Sequence, residues 1–387
     1  MRVLFLLAAA LLISVSARAI RITWGPYLQQ VGTDEAMIVW GTDSDGVAWV
    51  ETAPDDNLHF YAEERPKYYD TYLGRKKIGR LHHVRVTGLK PATTYRYRVF
   101  TQEVLDKSAY RIDYGPVAST RVYQKEPLRF TTLNPTKEKV SFRVVNDIHA
   151  DTARLAKLLT GVKRGSDTDF VLYNGDMVSH MDDEPGLMNG FINKSVELFA
   201  SEVPFYMVRG NHEGRGLYAD EYVSYFPAAT QMPYYAFRQG PVYFVVLDGG
   251  EDKPDSDIEY LGRNRMDDYR EEQAKWLKSV VESPEFKSAP YKVAVVHVPP
   301  SGSTWHGPLH SKKLFMPILN DAGIDVMLCG HLHTYVYLPA GEDGNNFPIL
   351  INSNKDALHV TADKKSLEIS VRDIAGKELK HFSYPAR

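Results

Sequence analysis

The amino-acid sequence predicts two regions of different fold class, an all-β sandwich followed by an α/β layered region. Residues 22 to about 132 contain several short strands separated by turn signals, a pattern typical of a sandwich. From residue 140 onward, apolar strand runs alternate with helical patterns, which is typical of an α/β fold. The segment 131–139 (TTLNPTKEK) is polar and contains a proline, so we interpret it as the linker.

Length and composition agree with a two-domain globular protein. The chain has 387 residues, of which 43% are hydrophobic and 25% are charged, and domains usually hold about 100–200 residues. Lys and Arg total 46 against 49 Asp and Glu. This near balance carries no signature of nucleic-acid binding.

The N-terminus predicts a signal peptide over residues 1–19. Arg2 precedes an apolar run from Val3 to Val15, and a small-x-small cleavage site follows at residues 17–19. We expect a mature chain that starts near Ile20; the alternative is an uncleaved N-terminal anchor. No later segment is apolar enough to span a membrane. Cys329 is the only cysteine, so a secreted chain without disulfides suits a bacterial periplasm or bacterial secretion. Cys329 itself is expected in a buried strand.

The first region, 20–132, contains strand patterns at 36–40, 47–51, 83–86 and 94–99. The series Leu89-x-Pro91-x-Thr93-x-Tyr95-x-Tyr97 is similar to a late-strand motif of fibronectin type III domains. The segment 24–28 (WGPYL) resembles the opening of the sandwich domain in purple acid phosphatases. His82 and His83 are expected to be a solvated pair on a strand rather than a pair of metal ligands.

The second region, 133–387, shows apolar strands and intervening helical patterns. Expected helices are 152–161, 188–202, 267–282 and 312–322, and further strands are expected at 348–352 and 357–371. The principal expected strands are 140–145, 170–173, 204–208, 242–247, 291–296 and 326–328.

Polar residues that can bind metals follow five of these strands directly. In open α/β sheets, ligands bind beyond the carboxyl ends of the strands. Residues at i and i+2 of an extended segment point the same way, so each of the pairs in DxH and HxH can aim at one point. Glycines 175, 210 and 330 are expected to allow tight turns before these residues. The residues that follow the five strands are Asp147 and His149, Asp176, Asn211 and His212, His297, and His331 and His333.

The donor types restrict the chemistry of such a site. Carboxylate, imidazole and amide donors without a CxxC pair exclude a cysteine-type structural zinc site. Mixed oxygen and nitrogen donors suit iron, manganese or zinc. Seven ligands are too many for one ion, whereas two ions that share one carboxylate would use all of them. Each motif alone is usually a turn or a surface pair; their order along the chain is what argues for a site.

As a set, the five motifs over residues 147–333 resemble those of the calcineurin-like metallophosphoesterases. The resemblance implies a four-layer fold, two β-sheets packed between helices, and hydrolysis of phosphate esters. It implies one metal ion on Asp147, His149, Asp176 and His333. It implies a second on Asp176, Asn211, His297 and His331, with Asp176 bridging, and it places His212 beside the substrate.

Two positions depart from the purple acid phosphatases. Their first motif has a glycine where this chain has His149, and their GDxxY motif has a metal-binding tyrosine where this chain has Ser179. The departure predicts that this protein lacks the colour of a tyrosinate–iron centre.

The sequence therefore predicts a secreted hydrolase of phosphate mono- or diesters that uses metal-activated water. Asp176 and His212 are the expected catalytic residues, with His212 assisting the leaving group. Arg209, Arg215, His306 and His310 are candidate substrate contacts, with exposed loop residues as the alternative. The alternative function is an inactive surface or binding protein that keeps the fold. The motifs do not distinguish monoesters from diesters, and they do not specify the metals or the oligomeric state.

Overall fold

The computed structural model describes residues 19–120 and 126–386. The predicted signal peptide, apart from Ala19, lies outside the described residues. Within the described part of the chain, no helix combines the length and apolarity needed to cross a membrane.

The N-terminal region is built from β-strands, as predicted. Seven strands form one hydrogen-bonded sheet along the path β1-β2-β7-β8, with β3 and β6 on β2 and β9 on β7. A separate two-stranded hairpin joins β4 and β5. The strands are β1 Ile22–Gln29, β2 Ala36–Pro54, β3 Lys67–Tyr69, β4 Thr71–Tyr72, β5 Arg75–Lys76, β6 Ile78–Val86, β7 Thr94–Lys107, β8 Ile112–Ser119 and β9 Leu128–Thr131.

Strand β2 links the two layers of the sandwich. Its first half pairs with β1 and β6, its second half pairs with β3 and β7, and the pairing with β6 shifts register between Gly41 and Gly46. Ile38 and Trp40 point into a core that also contains Val50 and Val99 from the other layer. The intervening residues of the first half, such as Val39, face the C-terminal region and are buried there. This burial on both faces explains the continuous apolar run at 36–40.

The C-terminal region contains two six-stranded sheets, in the orders β12-β11-β10-β19-β20-β21 and β13-β14-β15-β16-β18-β17. Strands β10, β11 and β12 run parallel in the first sheet, and β14, β15, β16 and β18 run parallel in the second. The strands are β10 Val140–Val145, β11 Phe170–Asn174, β12 Phe205–Val208, β13 Tyr235–Gln239, β14 Val242–Leu247, β15 Tyr291–Val296, β16 Val326–Cys329, β17 Val336–Leu338, β18 Ile349–Ile351, β19 Asp356–Ala362, β20 Ser366–Asp373 and β21 Glu378–Pro385.

Helices cover the outer faces of both sheets. One apolar cluster lies between the sheets, and two more pack each sheet against its helices. These layers confirm the expected four-layer arrangement. Two π-helical turns, Met188–Ile192 and Val196–Ala200, continue the second helix. The α-helices are α1 Thr152–Leu158, α2 Glu184–Leu187, α3 Asn193–Ser195, α4 Tyr222–Tyr225, α5 Met266–Glu282, α6 Pro284–Lys287 and α7 His306–Ala322.

Three local expectations were wrong. Helix α7 begins at His306, six residues before the expected start, because Pro308 lies in its first turn, where proline needs no hydrogen-bond partner. The expected strand 357–371 is two strands, β19 and β20, which pair with each other. His82 and His83 are not a solvated pair: His82 is 1% exposed and its ring bonds Thr42, while His83 bonds the Ser224 carbonyl. Cys329 is buried in β16, as expected.

Candidate metal centre

The candidate ligands meet because the parallel strands of both sheets end at one place. Asp147, Asp176 and Asn211 follow β10, β11 and β12, and His297 and His331 follow β15 and β16. Sheet packing then brings the two sets of strand ends face to face. Three groups of carboxylate and imidazole atoms lie close enough to hold metal ions: Asp147, His149 and His333; His149, Asp176 and His212; and Asp176, His297 and His331.

The first group surrounds the carboxylate of Asp147. His333 Nε2 lies 3.1 Å from Asp147 Oδ1 and 3.2 Å from His149 Nε2. His149 Nε2 is 4.0 Å from Oδ1 of Asp147 and 4.0 Å from Oδ2 of Asp176. The two imidazoles therefore point at the oxygen atoms of both carboxylates.

The group of Asp176, His297 and His331 surrounds the carboxylate of Asp176. His297 Nε2 lies 3.0 Å from Asp176 Oδ2 and 3.9 Å from Asp147 Oδ1. Asn211 joins the group through its Oδ1, which lies 3.1 Å from His331 Nδ1. All seven predicted ligands thus lie in one continuous cluster, with Asp176 in contact with both halves.

His212 stands at the open side of this cluster. Its Nδ1 lies 2.7 Å from the Ser179 carbonyl oxygen, and its Nε2 lies 3.9 Å from Asp176 Oδ2. Because the carbonyl can only accept, Nδ1 carries a hydrogen and Nε2 is the atom free to exchange a proton. The His212 side chain is 27% exposed, so it is accessible from solvent.

The backbone at the cluster is unusual. Five candidate ligands that are not glycine have positive φ, between 48° and 74°. Such conformations are sparsely populated by residues with a side chain and gather at functional sites. The five residues are Asp147, His149, Asp176, His331 and His333.

The three glycines serve the site mainly by leaving space. Only Gly175 has positive φ, +80°, as the predicted tight turn requires. A Cβ at Gly210 would lie 2.2 Å from Asp176 Oδ1, and one at Gly330 would lie 3.0 Å from Asp147 Oδ2. At these two positions the expected turn is replaced by close approach of the backbone to a carboxylate.

Glu213 supports the cluster by binding backbone amides next to the candidate ligands, and it was not among the site residues predicted from the sequence. Its fully buried carboxylate accepts hydrogen bonds from the amides of Gly210, Asp176, Met177 and Val178, at 2.7–3.3 Å. Burial and the Asp176 carboxylate raise the pKa of Glu213 to about 7. The signal available in the sequence was its position directly after Asn211-His212.

Asn146 and Asn352 form a second supporting pair that the sequence did not reveal. Asn352 Nδ2 donates to Asn146 Oδ1 at 2.8 Å, and Asn146 Nδ2 donates to Asp147 Oδ2 at 2.6 Å. The backbone amide of His331 also donates to Asp147 Oδ2, at 2.9 Å. These bonds fix one oxygen of Asp147 and leave Oδ1 pointing into the cluster.

The buried donor atoms fit metal ions. Asp147 Oδ1 and His297 Nε2 are buried without a hydrogen-bond partner of good geometry. His297 Nδ1 lies 2.6 Å from the Asn174 carbonyl oxygen, so Nδ1 donates there and the lone pair of Nε2 faces the carboxylates. Burial alone would lower the pKa of His297, but the two aspartates raise it to about 10. A cation between these atoms would satisfy the same charges as the proton.

Arg209, a candidate substrate contact, is held in an ion pair. Its Nε and a terminal nitrogen lie 2.7 and 2.6 Å from Oδ2 of the buried Asp248. Tyr269 donates to the same oxygen at 2.8 Å. Asp248 therefore orients the arginine.

Arg215, the second candidate, borders a large cleft of 970 Å³ beside His180. Its guanidinium binds Glu251 through two hydrogen bonds of 2.9 and 2.8 Å. The His180 ring lies 6.0 Å from that of His212, so the cleft opens next to the metal-ligand cluster.

His306 and His310 are not on a loop. They lie in the first two turns of α7 and surround Asp267 of α5, with His306 Nε2 at 2.9 Å and His310 Nδ1 at 3.1 Å from its oxygens. Through these contacts the two histidines join α7 to α5, and no described contact links either residue to the metal-ligand cluster. The structure gives them a helix-packing role instead of the expected loop position.

The two positions that depart from the purple acid phosphatases are neighbours in space. Ser179 Oγ lies 3.4 Å from His149 Nδ1. Among the described residues, the hydrogen bonds of the seven candidate ligands include none to a tyrosine.

Comparison with known proteins gives a consistent result. The family model described as Calcineurin-like phosphoesterase matches residues 140–335, and that of Purple acid Phosphatase, N-terminal domain, matches residues 16–121. Purple acid phosphatase 21 of Arabidopsis thaliana is 24% identical over 373 residues, which covers 85% of this chain and 74% of the relative. Purple acid phosphatase 22 of the same plant is 27% identical over 274 residues, 67% of this chain and 54% of the relative.

Among solved structures, a phosphopantetheinyl hydrolase from Mycobacterium tuberculosis matches 56% of this chain and 89% of its own length. The sequence identity is 12% and the TM-score is 0.38. That TM-score is too low to support an inference about function.

Proposed function

Because the chain belongs to the calcineurin-like phosphoesterase family, we propose that it hydrolyses phosphate mono- or diesters at a centre of two metal ions. The matched segment, residues 140–335, contains every candidate ligand. The purple acid phosphatase relatives align with most of the chain and support the same class of reaction.

One observation carries the proposal above the others. His297 Nε2 faces Asp176 Oδ2 across 3.0 Å, deep in the protein, while Asp147 Oδ1 is buried nearby without a hydrogen-bond partner of good geometry. Buried acceptors that face each other need a proton or a metal ion between them, and a metal ion would also bind Asp147 Oδ1. Exposed acidic groups would not need a bound ion, because water can hydrogen-bond to them.

The groups at the two ends of the cluster support the two ligand sets that the resemblance implies. Asp147, His149 and His333 would hold one ion, and Asn211, His297 and His331 would hold the other, with Asp176 shared. When bound, two such ions supply Lewis-acid activation of water and of the phosphoryl oxygens. The carboxylate, imidazole and amide donors suit iron, manganese or zinc.

His212 would act on the leaving group. The Ser179 carbonyl holds Nδ1–H, so a proton on Nε2 faces the open side of the cluster. Transfer of that proton to the departing oxygen prevents the build-up of charge on an alkoxide. His212 also lies in one of the groups that could hold a metal, so its variant must be assayed for metal as well as for turnover.

Metal analysis and hydrolysis of chromogenic esters test the proposal together. We expect about two metal ions per chain and turnover of an aryl phosphate or its methyl diester, at the same metal-dependent site. Two bound ions without hydrolysis of either ester would favour the alternative, an inactive binding protein. Absence of stoichiometric metal would contradict the proposed centre itself.

We further infer that the chain is exported and that residues 20–132 form a fibronectin type III-like domain ahead of a catalytic domain at 133–387. The N-terminal apolar run and its small-x-small site support export to a periplasm or the exterior. Intact-mass measurement of the exported protein tests this: removal of residues 1–19 is expected, and a full-length mass would contradict it.

A further inference from the structure

We propose that the cleft beside His212 receives an uncharged, aromatic or apolar leaving group, and that the N-terminal region determines substrate specificity by holding one wall of this cleft in place. The inference rests on the proposed function for the identity of the ligand, but its structural basis is independent of turnover. That basis is a set of side chains from β1, its following loop and β6 that bind helix α4.

Side chains of the N-terminal region contact the C-terminal end of helix α4. Helix α4 ends at Tyr225, and its last carbonyl groups have no partner within the helix. Tyr27 donates its hydroxyl hydrogen to the Tyr225 carbonyl at 2.8 Å, and Gln30 Nε2 donates to the Pro227 carbonyl at 2.5 Å. His83 Nε2 bonds the carbonyl of Ser224. Two side chains of the N-terminal region thus cap the end of this helix, and Gln30 holds the segment that directly follows it.

A second contact anchors the same helix from the side. Trp24 Nε1 donates to Glu184 Oε1 at 3.0 Å, and the Tyr225 hydroxyl donates to Glu184 Oε2 at 2.7 Å. Trp24 and Tyr27 also belong to the apolar cluster that contains Tyr222 and Tyr225. The N-terminal region therefore fixes both the backbone and the side chains of α4.

The opposite side of the same segment faces the cleft. Ala219, Asp220, Tyr222 and Val223 line the 970 Å³ cavity, which His180 also lines. A shift of α4 would therefore change the width of the cleft next to His212, without displacing a strand that carries a candidate metal ligand.

The lining of the cleft indicates which leaving groups it takes. Each of its described arginines already has a carboxylate partner, in the pairs Arg209–Asp248, Arg215–Glu251, Arg263–Asp220 and Arg265–Asp268. The cleft therefore offers little net positive charge to a second anionic group. The remaining wall is largely apolar or aromatic, formed by Leu217, Tyr222, Val223, Met232, Leu261 and Tyr269.

The chain offers a matched pair of variants for the test. Tyr27 and Tyr97 are both fully buried tyrosines of the N-terminal region, and each donates to a carbonyl of the C-terminal region. Tyr97 bonds Ser201, at 2.7 Å, and Ser201 does not line the cleft. Tyr27→Phe and Tyr97→Phe thus lose the same kind of hydrogen bond, but only the first loses a bond to helix α4, whose Tyr222 and Val223 line the cleft.

Hydrogen–deuterium exchange on the full-length variants measures the contact without any substrate. We expect faster exchange of the amides in 219–227 in Tyr27→Phe than in Tyr97→Phe. Equal exchange of this segment in both variants would overturn the proposal, whether or not the protein is an active hydrolase.

Kinetics on phenyl and naphthyl esters of one phosphate type test the specificity. In Tyr27→Phe, the KM for the naphthyl ester should rise relative to that for the phenyl ester by about two- to ten-fold, the range expected for one lost hydrogen bond. The kcat on the phenyl ester and the metal content should match those of Tyr97→Phe. The specificity role would be overturned if the KM values for the two esters changed equally in Tyr27→Phe, or if Tyr97→Phe showed the same change in their ratio. If the unmodified protein hydrolyses neither ester, both the proposed function and the leaving-group role are refuted. The exchange measurement then still decides whether the N-terminal region holds helix α4.

Discussion

His297 and Asp176 face each other across 3.0 Å, with the imidazole Nε2 opposite the carboxylate Oδ2, and both side chains are almost completely buried. The other ring nitrogen of His297 is tied to the Asn174 carbonyl at 2.6 Å. The pair is therefore fixed in an orientation that favours a shared cation. This relationship links the two sheets, because Asp176 follows β11 and His297 follows β15.

Asp176→Asn should remove both metal ions, because its carboxylate contacts both halves of the cluster. The amide has one acceptor oxygen and no charge, so it cannot bridge two cations. Metal analysis of the purified variant is the measurement, and turnover should fall with metal content. Asp169→Asn, which changes a carboxylate that pairs with Lys137 at the opposite end of β11, should keep both ions. Retention of one ion by Asp176→Asn would argue against a shared carboxylate.

His212→Ala should keep both ions and lose about 10²–10⁴-fold in kcat, the usual contribution of general acid catalysis. The loss should be smaller for esters with acidic phenols as leaving groups, since these depart without a proton. Rates on a series of aryl esters measure this dependence. Loss of a metal ion from the variant would instead assign His212 to the ligands.

Removal of the metals should lower the stability of the whole protein. Without cations, Asp147 and Asp176 place two carboxylates in a buried site, and ligand binding to the folded state alone stabilises it by about 4 kcal/mol at 1,000 times Kd. Thermal unfolding with and without a chelator is the measurement. Asp176→Asn should show a much smaller effect of chelation, and an equal effect in both proteins would point to a metal bound elsewhere.

Acid should destabilise the fold through His82, which lies in the sandwich and far in sequence from the metal ligands. Burial, followed by the charge of Lys77, lowers the pKa of His82 to about 3 from its usual 6.5. Between these values the unfolded chain binds a proton that the folded chain does not, so the free energy of unfolding falls as pH falls. The slope is about 1.4 kcal/mol per pH unit for one proton.

Urea unfolding at about pH 6 and about pH 4.5, one value near the upper edge of this window and one near its middle, measures this contribution. His82→Gln should show a shallower fall in stability than the unmodified protein. His59→Gln, which removes an exposed imidazole, is the matched control. The same fall in all three proteins would show that His82 does not account for it.

The Arg209–Asp248 pair should stabilise the fold rather than bind substrate. Arg209→Ala leaves the carboxylate of Asp248 buried without its charge partner, and breaking a buried pair in this way costs about 3–5 kcal/mol. Arg263→Ala, which breaks the more exposed pair with Asp220, should cost about 0–1 kcal/mol. Chemical denaturation measures both. A stable Arg209→Ala variant with a raised KM would restore the role in substrate contact.

The protein purified with iron should lack a visible tyrosinate band. Ser179 stands at the position of the tyrosine ligand and touches His149 instead, at 3.4 Å. An absorption spectrum of the iron-loaded protein is the measurement. A strong band between the near ultraviolet and the red would require a tyrosine ligand that the described contacts do not contain.

The α/β layering and the positions of the candidate ligands could be predicted because both follow from local patterns, whereas the four-layer arrangement of two sheets was implied by the resemblance to the calcineurin-like phosphoesterases. Apolar strand runs indicate the sheets, and Asp147, Asp176, His297 and His331 directly follow such runs. Once the strands are parallel, their carboxyl ends coincide. The prediction therefore required no knowledge of distant contacts.

The supporting partners could not be predicted, because they depend on the three-dimensional packing of distant segments. Asn352 reaches Asn146 across 206 residues of sequence, and Glu213 reaches Asp176 across 37. Polarity alone suggested that His306 and Arg209 were free to bind substrate. Packing instead gave each an acidic partner, Asp267 and Asp248.

The first half of β2 is buried on both faces, with Ile38 in the sandwich and Val39 against the C-terminal region. Neither region can therefore be detached without opening a continuous apolar surface to water. We expect the two halves to melt together in one calorimetric peak, and a fragment that begins at residue 133 to aggregate unless its exposed face is redesigned. Transplanting the catalytic half onto another carrier would then require Trp24, Tyr27 and β2 to travel with it.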